Sequence, residues 1–170
     1  MLAAAMSMTG APADPSRLER LVDEFIVHYR GHIAAESRPF PGVVETLNGF
    51  AREGARMAVL TNKPQELTDL LLPALDLARY FRAIHGGGRL GAVKPDARVF
   101  HQVVAELGGR GRGAVMIGDS RTDVATARAA EVPVILVSYG YTPEPAETLG
   151  ADRVTADFAA IPRLVKELLA

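Results

Sequence analysis

Residues 113–123 read Gly-Ala-Val-Met-Ile-Gly-Asp-Ser-Arg-Thr-Asp, an apolar run that turns polar within one residue. The run from Gly113 to Gly118 is too short for a buried helix, so it predicts a strand covered on both faces. Beyond the polar cluster, Thr122 to Ala130 predicts a helix. A buried strand that feeds a helix is the unit of an α/β domain with a mostly parallel sheet. Working outward, Pro133 to Ser138 (PVILVS) and Arg56 to Thr61 (RMAVLT) are two more such runs. Ala83 to Gly86 is a weaker strand candidate running into Gly86-Gly87-Gly88, which reads as a loop. Val154 is a candidate for a short edge strand. Helical spacing fills the intervals, through Val43, Leu47 and Phe50, then Pro64 to Leu75, then Asp96 to Leu107. Asp157 caps a last helix that carries Ile161, Leu164, Val165 and Leu168.

The opening of the chain differs. Asp14-Pro15 offers an N-cap and a proline at the first helical position, and Leu18, Leu21, Val22, Phe25, Tyr29 and Ile33 recur at helical spacing. Pro39 and Pro41 end that helix. One apolar stripe cannot bury itself, so this segment must pack on another part of the protein. The expected division is residues 1–40 and residues 41–170.

The chain has 170 residues, 48% of them hydrophobic and 23% charged, which is the composition of an ordinary globular domain. Nineteen basic against twenty acidic residues leave no surplus for phosphate backbones or anionic lipid, so neither nucleic acid nor a membrane surface is an expected partner. Cysteine is absent, which excludes disulfides, thiolate nucleophiles and cysteine-held metals and is compatible with the expected cytoplasmic location. No basic residue precedes Arg17, so a secretory signal is poorly matched. No window approaches the ~18 apolar residues of a membrane span.

In an open parallel sheet, ligands bind beyond the carboxyl ends of the strands. Two polar clusters stand there, Thr61-Asn62-Lys63 and Asp119 to Asp123, each leading into a helix N-terminus suited to an anion. Asp119 and Asp123 are four apart, so both carboxylates can face one side of a turn, and Mg²⁺ would relieve their repulsion. The plainer readings are that Asp119 or Ser120 caps the helix, that Thr61 is a cap, and that Lys94 is a solvated surface lysine. Taken as a set, the hydroxyl, the lysine and the paired carboxylates supply a phosphate cradle, a counter-charge and a metal site. His28 and His32, four apart on the first helix, lack a third ligand. His85 and His101 read as loop and helix residues without assigned work.

The segments PFPGVVETL (39–47), AVLTNKP (58–64), VKPD (93–96), MIGDSRTD (116–123) and VSYGY (137–141) together resemble the haloacid-dehalogenase superfamily of Mg²⁺-dependent phosphatases, and within it the phosphoglycolate phosphatase group. The resemblance implies a Rossmannoid parallel sheet with helices on both faces, preceded by a remnant of an α-helical cap in residues 1–40. It implies a phosphate-binding hydroxyl at Thr61, neighbouring polar contacts from Asn62, a charge-neutralising Lys94, and Mg²⁺ held by Asp119 with Asp123 as its partner. The implied substrate is a small phosphorylated metabolite, with 2-phosphoglycolate favoured.

One departure is large. The family's nucleophile and general acid are the aspartates of a D-x-D-G-T motif on the first, central strand, and no such motif occurs in this sequence. The acidic residues before Thr61 all fall in helix or loop contexts. The expectation is therefore a chain N-terminally truncated relative to the family pattern and inactive by itself, because the covalent route needs an attacking carboxylate. The strands ending at Thr61 and Gly118 would flank the missing one. Either the chain is part of a longer product, or those strands close together, or another segment or chain fills the place. A dimer through open sheet edges and a complementing N-terminal segment are the partners this allows. The rival reading is a non-catalytic phosphate-binding or interaction module of the same fold.

Overall fold

The computed structural model describes residues 14–109 and 113–170. It divides into two compact units with the boundary between Ser37 and Arg38. In the first, helix α1 spans Pro15–Gly31, with proline at its first position. Asp14 stands at the N-cap but takes the Ser16 hydroxyl at 2.5 Å and no helix N–H. Phe25 and Tyr29, one turn apart, stack with ring centroids 5.7 Å apart.

The second unit runs α2 (Val43–Arg52), β1 (Ala58–Pro64), α3 (Gln65–Ala74), β2 (Ala83–Gly87), α4 (Ala97–Glu106), β3 (Met116–Gly118), α5 (Arg121–Ala129), β4 (Val134–Val137), β5 (Arg153–Thr155) and α6 (Ile161–Leu169), with single 3-10 turns between some of them. Every strand pair is parallel. Strand β4 shows why its sequence is continuously apolar. Val134 and Leu136 pack with Phe100, Met116 and Val124, whereas Ile135 packs on the other face with Ile161 and Leu164. Helices α4 and α5 thus cover one face and α2 and α6 the other, as a parallel sheet requires.

The sheet comes in two pieces. Strand β1 pairs with β2, and β3 begins the separate order β3-β4-β5. Among the described residues no strand joins β1 to β3, so the flanking strands have not closed on each other. An apolar cavity of about 740 Å³ lies between them, walled by Ala58 and Leu60 on one side and Met116 and Ile117 on the other. Val43, Leu47, Phe100 and Val103 also line it, from helices α2 and α4. Ile117 is 37% exposed there, although Ile135 on the neighbouring strand is wholly buried.

The structure corrects two local readings. Strand β1 does not stop at Thr61 but continues through Asn62 and Lys63 to Pro64. Leu60 lies opposite His85 and Pro64 opposite Gly87, so β1 advances four residues while β2 advances two. The surplus is a bulge, a device that re-aims side chains beside functional sites. The second correction concerns Gly87, which extends β2 by one residue beyond Gly86 and is not in a loop. A Cβ on Gly86 would meet Gln65 Cα at 2.5 Å, and one on Gly87 would meet the Asn62 carbonyl oxygen at 2.7 Å. These glycines are there because the bulged strand lies against them. His85 likewise sits in the strand, buried, with Nε2 2.5 Å from Glu106 Oε2, and ties β2 to α4.

Candidate functional site

The bulge carries Thr61 and Asn62 at the carboxyl end of β1. The Thr61 hydroxyl oxygen accepts the Lys63 N–H at 3.1 Å, inside the bulge. It does not cap α3, whose N-cap position is Pro64. The Asn62 amide grips the Lys94 backbone on both sides of its Cα: its Nδ2 donates to the Lys94 carbonyl at 3.0 Å and its Oδ1 accepts the Lys94 N–H at 3.0 Å.

Lys94 is not the solvated lysine of the plainer reading. Its side chain is 11% exposed and its Nζ lies 2.5 Å from Asp123 Oδ1, on a carboxylate that is 4% exposed. The other Asp123 oxygen, Oδ2, accepts the Asp119 N–H at 3.0 Å, the Ser120 N–H at 3.1 Å and the Ser120 hydroxyl at 2.7 Å. Ser120 is the N-cap of α5 and forms a reciprocal capping box with Asp123, so the cap falls on Ser120 and not on Asp119. Burial pushes the Asp123 carboxyl up, but the Lys94 charge and hydrogen bond, the Ser120 hydroxyl and the Asp119 N–H outweigh it and hold it below the usual carboxylate range.

Asp119 has more freedom. It is half-buried, and its Oδ2 accepts the Tyr141 N–H at 3.2 Å. It also lines the end of the cavity between the two sheet pieces. Two glycines that sequence reasoning passed over make room for the acidic pair. A Cβ on Gly118 would stand 2.3 Å from Asp123 Cγ, and one on Gly140 would stand 2.3 Å from Asp119 Cβ. The available signals were Gly118 directly before Asp119 and Gly140 between two tyrosines in a stretch following a buried strand.

Asn62, Lys94, Asp123 and Asp119 therefore form one connected polar chain across the ends of β1 and β3, with Thr61 next to its first member. The two carboxylates do not sit as an equal pair facing one cation, since both oxygens of Asp123 are engaged by donors. No group of three or more His, Cys, Asp or Glu side chains suited to a metal occurs among the described residues. Mg²⁺ commonly takes one or two protein carboxylates and completes its shell with water and substrate phosphate. The donor set fits such a site through Asp119, with Asp123 behind it.

A parallel α/β sheet with helices on both faces and acidic and basic groups gathered beyond the carboxyl ends of its strands defines a Rossmannoid class of protein. Residues 6–137 match the family described as haloacid dehalogenase-like hydrolase, and the chain belongs to that family. It is 46% identical over 169 residues to a phosphoglycolate phosphatase of Caulobacter vibrioides, covering 99% of this chain and 71% of that one. A phosphoglycolate phosphatase of Agrobacterium fabrum is 39% identical over 170 residues, with 99% and 73% covered. Among solved structures, a "predicted phosphoglycolate phosphatase" from Haemophilus somnus superposes with a TM-score of 0.88 at 27% identity, covering 94% of this chain and 72% of the other. No helix among the described residues is long and apolar enough to cross a membrane.

Proposed function

We propose that this fold serves the hydrolysis of a small phosphomonoester, with 2-phosphoglycolate as the favoured substrate and the cytoplasm as its place. The observation that carries the reading is the polar chain from Asn62 through Lys94 and Asp123 to Asp119, set where a parallel sheet presents its ligands. The Thr61 hydroxyl donates to a phosphoryl oxygen, and the Lys94 ammonium neutralises charge on it. Phosphoryl transfer depends mainly on such positioning and charge stabilisation. Asp119 is the residue that would hold Mg²⁺, with Asp123 keeping the Asp119 loop and Lys94 in place. When bound, the cation would neutralise phosphoryl charge as a Lewis acid. Helix α1 belongs, in this reading, to the remnant of a helical cap.

The attacking carboxylate is not assigned to any described residue, because Asp123 is engaged and Asp119 is given to the cation. The chain by itself accordingly binds phosphate without turnover. That same feature favours the second reading, a phosphate-binding module without catalysis. The test is calorimetric titration of the chain with inorganic phosphate, with and without Mg²⁺, alongside phosphate release from 2-phosphoglycolate. Mg²⁺-dependent phosphate binding that Lys94→Ala weakens at least about tenfold, the value of one charged contact, supports the site. No binding by the unaltered chain at millimolar phosphate would sink it.

A further inference from the structure

The resemblance in the sequence gave Asn62 a place among the phosphate contacts. The geometry points to a different role: we infer that Asn62 is a positioning residue for Lys94, acting on the lysine's backbone and through it on where the ammonium is held. The inference concerns how the proposed site is built, and its test reads the lysine and not the reaction.

Three observations carry it. The Asn62 side chain has one acceptor and one amino group, and both are directed at the backbone of a single residue, with two bonds of 3.0 Å. An amide donating to a carbonyl and accepting from the N–H of the same residue fixes that residue's position and orientation, as a strand partner would. Second, Lys94 follows Ala92 and Val93 in a stretch without helix or strand, so its backbone has no regular ladder to hold it. Third, the far end of the lysine is fixed independently, by the buried Asp123 carboxylate 2.5 Å from Nζ. The side chain is thus held at its root by β1 and at its tip by α5. Both anchors are needed, because a long flexible stem placed from one end only keeps its rotamer freedom.

The arrangement also explains the bulge in β1. A regular strand alternates its side chains between the two faces of the sheet. The two surplus residues between Leu60 and Pro64 break that alternation at Asn62 and let its amide reach sideways to the 92–95 segment. Aspartate could not replace asparagine here, since it has an acceptor for the Lys94 N–H but no donor for the Lys94 carbonyl.

The sequence contains three lysines, Lys63, Lys94 and Lys166, which makes a direct test simple. Reductive methylation of the intact folded chain is followed by mass spectrometry, and the rate at Lys94 is taken relative to Lys166, whose side chain is 67% exposed. In the unaltered chain Lys94 reacts much more slowly than Lys166. Asn62→Ala raises the relative rate at Lys94 about fivefold, the factor expected when net hydrogen bonding of this size is lost, and Asn62→Asp raises it as well. Asp123→Asn, which releases the tip, sets the upper limit. A general loosening would raise both lysines and leave the ratio unchanged, and that result overturns the inference. So does an Asn62→Ala ratio equal to that of the unaltered chain while Asp123→Asn increases it. If Asn62→Ala does not fold, Asn62→Asp carries the same two outcomes. Failure of phosphate binding with a shifted Lys94 ratio removes the phosphatase reading and leaves the positioning role standing.

Discussion

Gly118 and Gly140 set the distance between backbone and carboxylate at the site, each leaving room for one acidic side chain. Adding a methyl group at Gly118 forces it into Asp123, whose two oxygens already hold Lys94 and the start of α5, so neither partner can retreat cheaply. Gly118→Ala is expected to cost about 1–3 kcal/mol, the usual range for overpacking, measured by urea denaturation. A loss below about 0.5 kcal/mol, the ordinary scatter of surface changes, would show that the approach is not close. Gly140→Ala crowds Asp119, so on the proposed Mg²⁺ role of that residue it should weaken Mg²⁺ binding, read by calorimetric titration, more than it weakens folding. At this scale the sequence was legible by residue type. Thr61, Asp119 and Asp123 could be picked out as a hydroxyl and carboxylates beyond apolar runs and Lys94 as a lysine in a loop before a helix, and the fold brings Lys94, Asp119 and Asp123 together. What stayed hidden was which partner each would take, because the Asn62 and Asp123 contacts join residues 32 and 29 positions apart.

Elements were legible wherever the apolar period was long, and least where chain geometry is settled by a neighbour. Strand β4 follows its sequence almost residue for residue. Strand β1 overran its reading by three residues because its bulge exists only against the two glycines of β2. The same dependence fixes α5, β4 and β5 to each other through Asp152. Its carboxylate accepts the Val134 N–H at 2.8 Å and pairs with Arg128, whose NH2 also donates to the Gly150 carbonyl. Burial pushes this carboxyl up, but the Arg128 and Val134 hydrogen bonds outweigh it and bring it below the usual carboxylate range. A carboxyl lowered on folding stabilises the protein above its unfolded value of about 3.9 and loses that contribution as pH falls through the folded value. Asp152→Asn should therefore be less stable than the unaltered chain at pH 7 by about 0.5–1 kcal/mol, with the difference shrinking as pH falls below the unfolded value. Urea midpoints taken from pH 7 downward to the acid limit of the folded state check this, and a difference that stays constant throughout would contradict it.

For the whole molecule, the parallel α/β architecture could be read from alternating strand and helix patterns, and the absent D-x-D-G-T motif marked where the sheet is divided, between the strands ending near Thr61 and at Gly118; whether those strands would close on each other could not be read from any one segment. It follows from what stands beside β1 and β3. Strand β4 has a neighbour on each side and buried residues throughout, whereas β1 and β3 each border the cavity. Amide hydrogen exchange should accordingly be slowest at Val134–Val137 and markedly faster at Ala58–Leu60 and Met116–Gly118, since exposed strand edges open at low cost. Equal protection in all three would mean that the two edges are covered. The apolar walls of this cavity have a further consequence for the chain in bulk. Among the described residues the cavity-side edges of β1 and β3, beside Leu60 and Ile117, have no strand partner, and such an apolar edge is a template on which extended polypeptide can add. The residues that give the half-sheets their cohesion are then also those through which they would be recruited into larger assemblies.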